Sequence, residues 1–179
     1  MKQLVILIDS GDTLVDESTQ TFDQNGDVLS AKLIPGAREA LEHLRAAGHR
    51  VALVADGTRV SFERVHHALN IYDLFEARVY SGDMGFRKPD SRMFERAYEL
   101  MNLYDDDKQR TFMVGNNLER DIVGAHGFGI KGILINWSPR YDYTPKAPNE
   151  VPDYTVSSES ELCALIDKLA ELDGEAVNT

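Results

Sequence analysis

The stretch Leu4-Val5-Ile6-Leu7-Ile8-Asp9-Ser10-Gly11-Asp12-Thr13-Leu14 decides the fold. An apolar, branched run of that length reads as a buried strand. An acid at its carboxyl end, followed by a glycine turn, lies where open α/β sheets place their chemistry. Asp9 therefore stands either as a nucleophile or metal ligand, or as an ordinary turn former or helix cap.

Four more apolar segments read as strands, over residues 50–54, 77–80, 111–114 and 132–135. Helical spacing lies between most of them. Ala37, Ala40, Leu41 and Leu44 share one face, with Gly48 placed to end that helix. Met93, Phe94, Ala97 and Met101 repeat the pattern behind Asp90 as N-cap, and Leu162, Leu165, Ile166 and Leu169 do so near the end. The alternation predicts an α/β fold: a largely parallel sheet of about five strands with helices on both faces. It fits one domain over residues 1–173, with a tail over 174–179.

Two segments interrupt the pattern. Residues 15–34 are polar and carry Asn25-Gly26 between Thr21-Phe22 and Val28-Leu29, which predicts a small hairpin flap. Residues 136–153 hold Pro139, Pro145, Pro148 and Pro152 together with Trp137, Arg140, Tyr141 and Tyr143. That loop either borders the site or is a stiff surface connection.

The chain has 179 residues, 42% of them hydrophobic, and a formal net charge of −11. The acidic balance argues against nucleic acid as a partner. No run is long enough to span a membrane, and nothing resembles a signal peptide. The single cysteine, Cys163, excludes an internal disulfide, reads as a buried structural thiol and points to the cytoplasm. His43, His49, His66, His67 and His126 lack metal-ligand spacing. Asp105-Asp106-Asp107 reads as a solvated charge run, and Gly124-x-x-Gly127-x-Gly129 as a helix end.

Three other features fall at strand ends: Ala55-Asp56-Gly57-Thr58, Arg87-Lys88-Pro89-Asp90 and Gly115-Asn116-Asn117-Leu118-Glu119-Arg120-Asp121. In a parallel sheet these ends converge on one edge. Asp9 and Asp121 are a carboxylate pair suited to Mg²⁺, and Lys88 can neutralise a phosphate or carboxylate. In this order the segments resemble the haloacid dehalogenase (HAD) superfamily, over roughly residues 3–169. Pro152-Asp153-Tyr154-Thr155-Val156 before the last helix is also typical of it. The resemblance implies a Rossmann-like fold without a cap domain. It implies a phosphatase-type hydrolase in which Asp9 forms an aspartyl intermediate with Mg²⁺ present. Asp9 and Lys88 are then the catalytic candidates. Ser10, Asp56, Gly57, Lys88 and Asn117 are the phosphate-binding candidates. Asp9, the Gly11 carbonyl, Asn116 and Asp121 are the metal ligands.

The chain also departs from the family pattern. Gly11 stands where a second Asp acts as general acid and base, a loss that commonly costs about 10²–10⁴-fold in rate. Asp12 is one position off, so its side chain is expected to point elsewhere. Ala55 replaces the hydroxyl residue of the second motif, and Asn116 replaces the acid of the last, which lowers metal affinity. A slow or specialised hydrolase is expected, and a catalytically impaired phosphoryl-binding or scaffold protein is the alternative. A dehalogenase would tolerate Gly11, since halide needs no proton, but it would need a cap. The expected partner is a phosphorylated substrate of unspecified size, with a second copy of the chain as a candidate lid.

Overall fold

In the computed structural model, which describes residues 2–175, β1 (Val5–Ile8) is buried on both faces. Its side chains alternate between two cores, Ile6 and Ile8 on one face, Val5 and Leu7 on the other. That two-sided burial is why the strand reads as unbroken apolar sequence. β2 (Val15–Phe22) and β3 (Val28–Leu33) follow as an antiparallel hairpin, turning at Gly26 with φ 84°. Then come α1 (Ala37–Ala46), β4 (Arg50–Ala55), α2 (Arg59–Ala68), β5 (Ala77–Tyr80) and the single turn α3 (Ser81–Met84). α4 (Ser91–Met101), β6 (Thr111–Gly115), a π-helical turn over Leu118–Ile122, α5 (Val123–Phe128) and β7 (Lys131–Ile135) complete the middle. β8 (Tyr154–Val156) and α6 (Glu159–Glu175) close the described chain. The tail expected over 174–179 lies outside the described residues from 176 onward.

The main sheet has six parallel strands in the order β5-β4-β1-β6-β7-β8, one more than the five the periodicity predicts. The sixth is β8, a three-residue strand with only Val156 buried, too short to show a pattern. α1, α2 and α6 cover one face through Leu41, Leu44, Val65, Leu162 and Ile166. α4 and α5 cover the other through Met93, Phe94, Ala97, Met101 and Ala125. Asp90 caps α4 by accepting the Arg92 N–H at 3.1 Å. Cys163 is half-buried and its thiol is pushed up to about 11 by burial. Among the described residues no helix is long and apolar enough to cross a membrane.

Two topological facts place the site. β1 and β6 are neighbours, and the chain runs from β1 towards β4 but from β6 towards β7, so the connections part at their carboxyl ends and open a crevice there. The hairpin docks beside that crevice on α2: the Val28 N–H donates to Ser61 Oγ at 2.9 Å, and Arg64 pairs with Asp23 at 2.9 Å. No inserted domain stands among the described residues over 14–35 or 55–88.

At the start of α6, Glu159 is 2% exposed and neither carboxyl oxygen has a hydrogen-bond partner among the described residues. Burial raises it from 4.5 to about 8. A raised carboxyl favours the folded state below the unfolded value, and that contribution is lost as pH climbs through the folded one. Glu159→Gln keeps the shape without the charge. Urea melts should show the variant more stable than the parent at pH near 8, with a flatter profile between the two values.

Candidate active site

Asp9 leaves the end of β1 with its N–H donating to the Val114 carbonyl at 2.9 Å, so the residue is still held in sheet register with β6. Its side chain faces Lys88, which enters from the segment before α4. The buried Lys88 ammonium donates to Asp9 Oδ1 at 2.9 Å, Asp121 Oδ1 at 2.7 Å and the Val54 carbonyl at 2.8 Å. Those three bonds use all three donors of the ammonium. Burial alone would push Lys88 down, but Asp121, Asp9 and Asp56 outweigh it and hold the ammonium charged above the ordinary lysine value. Two carboxylates share that single cation. Burial and the Asp9 charge therefore raise Asp121 above the usual carboxylate range despite Lys88.

Asp121 is fixed from behind as well. Asn117 donates its backbone N–H to Asp121 Oδ2 at 3.0 Å, and the Asn117 side chain caps the π turn through the Arg120 N–H at 2.9 Å. The acid lies directly over Gly115: a Cβ there would sit 2.7 Å from the Asp121 Cβ and collide with its carboxylate. The glycine is thus the clearance for Asp121. Asp56 tethers the lysine segment, accepting the Lys88 N–H at 3.1 Å while Arg120 stands 3.5 Å from its other oxygen.

The remaining sequence candidates fall as follows. Ser10 Oγ is 2.8 Å from His66 Nε2, both buried, and the Gly57 N–H donates to Ser81 Oγ at 2.9 Å. Those groups are already engaged within the fold. Asn116 is 3% exposed, and its Oδ1 has no partner among the described residues. An unpartnered buried acceptor at the edge carrying Asp9 and Asp121 fits a cation there. No group of three His, Cys, Asp or Glu side chains suited to a metal forms among the described residues. Two carboxylates and this amide oxygen would offer a cation oxygen donors alone, the kind Mg²⁺ prefers.

The 136–153 loop borders the site. Trp137 Nε1 donates to the Asp12 carbonyl at 2.6 Å, and Arg140 and the Tyr141 hydroxyl bond the Asp12 carboxylate. Asp12 adopts φ 49°, and its buried carboxylate turns away into this clasp. Glu17, which the sequence reading missed, takes the place beside Gly11. A Cβ at Gly11 would lie 2.7 Å from the Glu17 carboxyl carbon. Partial desolvation, with the Asp12 and Asp9 charges, raises Glu17 above its ordinary value. Glu17 also lines a cavity of about 280 Å³ between hairpin and α2, floored by Ser10, Gly11, Asp56 and Gly57. A larger cavity of about 480 Å³ near Arg59, Arg78 and Arg96 is lined by none of the candidate site residues. Its arginines are engaged, Arg59 with Asp83, Arg78 with the Tyr72 carbonyl and Arg96 with Glu99.

A sequence profile described as haloacid dehalogenase-like hydrolase matches residues 7–129, well over half of the chain. A glyceraldehyde 3-phosphate phosphatase of Pyrococcus abyssi is 35% identical over 104 residues, covering 58% of this chain and 42% of that protein. A ribulose-1,5-bisphosphate 5-phosphatase of Halopiger xanaduensis is 30% identical over 138 residues, covering 75% and 56%. The chain thus spans about half the length of the curated relatives it matches. A HAD phosphatase structure from Thermococcus onnurineus shares the fold with TM-score 0.73 at 16% identity, covering 93% of this chain and 98% of that one.

Removing one member of a buried ion cluster leaves the others unpaired, at about 3–5 kcal/mol. Lys88→Met should lower stability by that order in urea denaturation, and Lys88→Met/Asp121→Asn should recover part of it. Equal stability of the parent and Lys88→Met would contradict the shared cluster.

Proposed function

The chain belongs to the haloacid dehalogenase-like hydrolases, and from that membership we propose that it is a phosphohydrolase working through Asp9. The observation that carries the reading is the Lys88 bridge. It holds Asp9 Oδ1, leaving the second carboxylate oxygen to attack, and it sets a fixed positive charge at the reacting centre. Asp9 forms a bond to phosphorus while the ester P–O bond breaks and its electron pair leaves with the alcohol oxygen. That oxygen takes its proton from solvent, because Gly11 offers none. Water then adds to phosphorus, Asp9 is released and inorganic phosphate departs. Asp9, Asn116, Asp121 and the Gly11 carbonyl would hold Mg²⁺, which supplies charge neutralisation of the phosphoryl oxygens. The curated relatives named as phosphatases support the substrate class, and the single cysteine fits a cytoplasmic setting.

The missing acid and the buried methyl of Ala55 favour a second reading, a protein that binds phosphoryl groups with little turnover. One experiment separates the two. Phosphate release from a panel of monoesters and aryl phosphates in Mg²⁺ should exceed background and vanish in Asp9→Asn. Calorimetric Mg²⁺ binding with equal background in both proteins selects the second reading.

Restoring the acid also tests the account. An Asp at position 11 needs the space Glu17 occupies, so the variant is Gly11→Asp/Glu17→Ala. Its rate on alkyl phosphates should rise by about 10²-fold, at the low end of a general-acid effect. No gain in a folded variant counts against the stated cause of the slow rate. A second copy as lid belongs to this reading, since Phe22 and Leu29 are 58% and 51% exposed on the hairpin. Light scattering should then show a dimer, and a strict monomer removes the lid.

A further inference from the structure

The cavity lined by Ser10 and Gly11, the residues that follow Asp9 in the chain, has an uneven chemistry. Its apolar wall is Val15, Val28, Phe62 and Val65, and no lysine or arginine is among its lining residues. Three carboxylates face it, and two are engaged. Asp27 accepts from the hydroxyls of Thr58 at 2.5 Å and Ser61 at 3.0 Å. Asp56 holds the Lys88 N–H and stands by Arg120. Glu17 has the Tyr141 hydroxyl at 3.3 Å, a long contact, and no ion pair among the described residues. It reaches the floor of the cavity because Gly11 has no side chain. Of the nearby cations, Lys88 is paired with Asp9 and Asp121, and Arg140 with Asp12 and Asp16; Arg120, whose charge reaches Glu17, stands 3.5 Å from Asp56 and lies outside the lining.

Resting on the phosphohydrolase reading, we propose that Glu17 is the specificity-determining residue for the leaving group. The cavity takes phosphate monoesters whose alcohol part is neutral or ammonium-bearing and offers hydroxyl or amine donors, and it rejects those carrying a carboxylate or a second phosphate. A second anion in the cavity meets Glu17 with no lysine or arginine in the lining to offset it, whereas a hydroxyl or ammonium group finds an acceptor with spare lone pairs. The apolar wall accommodates a short carbon chain. Discrimination here comes from repulsion of the wrong substrate as much as from attraction of the right one.

The test compares sn-glycerol 3-phosphate, 3-phosphoglycerate and phenyl phosphate in Mg²⁺ by steady-state phosphate release. Binding of the first two to Asp9→Asn is measured by calorimetry. The wild type should prefer glycerol phosphate over phosphoglycerate by about tenfold or more in kcat/KM. Glu17→Gln should narrow that ratio, chiefly by lowering KM for phosphoglycerate, and Glu17→Lys should invert it. Turnover of phenyl phosphate with equal use of the other two, or a ratio unmoved in both variants, overturns the inference and leaves the hydrolase standing. No turnover of any substrate overturns the hydrolase. Calorimetry then decides the specificity by itself: tighter glycerol phosphate supports it and equal affinity refutes it.

Discussion

The structure depends on one buried ammonium. Lys88 reaches from the segment before α4 to the ends of β1 and β4 and to the π turn after β6, and each of its donors is used there. An unpaired charge at such depth would be neutralised or expelled. The cluster therefore demands that three distant stretches of chain arrive together. Gly115 makes room for Asp121, Asp56 holds the Lys88 backbone, and sheet register fixes Asp9.

That constraint explains the division of labour among the acids. Asp9 and Asp121 are tied to the lysine, so their carboxylates meet at one point. Asp12 is turned away and clasps the loop from 136 to 153 through Arg140 and Tyr141. Glu17, from the hairpin, fills the space that a side chain on Gly11 would have used. The acid lost from the turn is thus replaced in space, though not in geometry, by one from a different element. The hairpin can deliver it because Ser61 and Arg64 of α2 fix its far end.

Much of this was legible from residues alone. The central strands announce themselves because burial on both faces forces unbroken apolar sequence, and Asp9, Lys88, Asn116 and Asp121 fall at strand or helix ends where parallel topology collects them. What escaped has a physical reason in each case. β8 has three residues and one buried side chain, too little for periodicity. Ser10 and Gly57 look free to bind an anion until the fold supplies His66 and Ser81 as partners. Glu17 carries no signal, because its contact with Gly11 depends on how the hairpin folds back. The role of the proline-rich loop follows from Trp137, Arg140 and Tyr141 meeting Asp12, a pairing across more than a hundred residues.

The central claim is that Asp9 is the attacking group in a site lacking the base that would release it quickly. It is tested most directly by mixing excess protein with phenyl phosphate in Mg²⁺, quenching in acid within the first turnover and sequencing the peptides by mass spectrometry. The account expects a phosphoryl group on Asp9, accumulating because water attack is slow. A phosphoryl group on Ser10 beside His66, or phosphate released with no labelled peptide at any time, would contradict it.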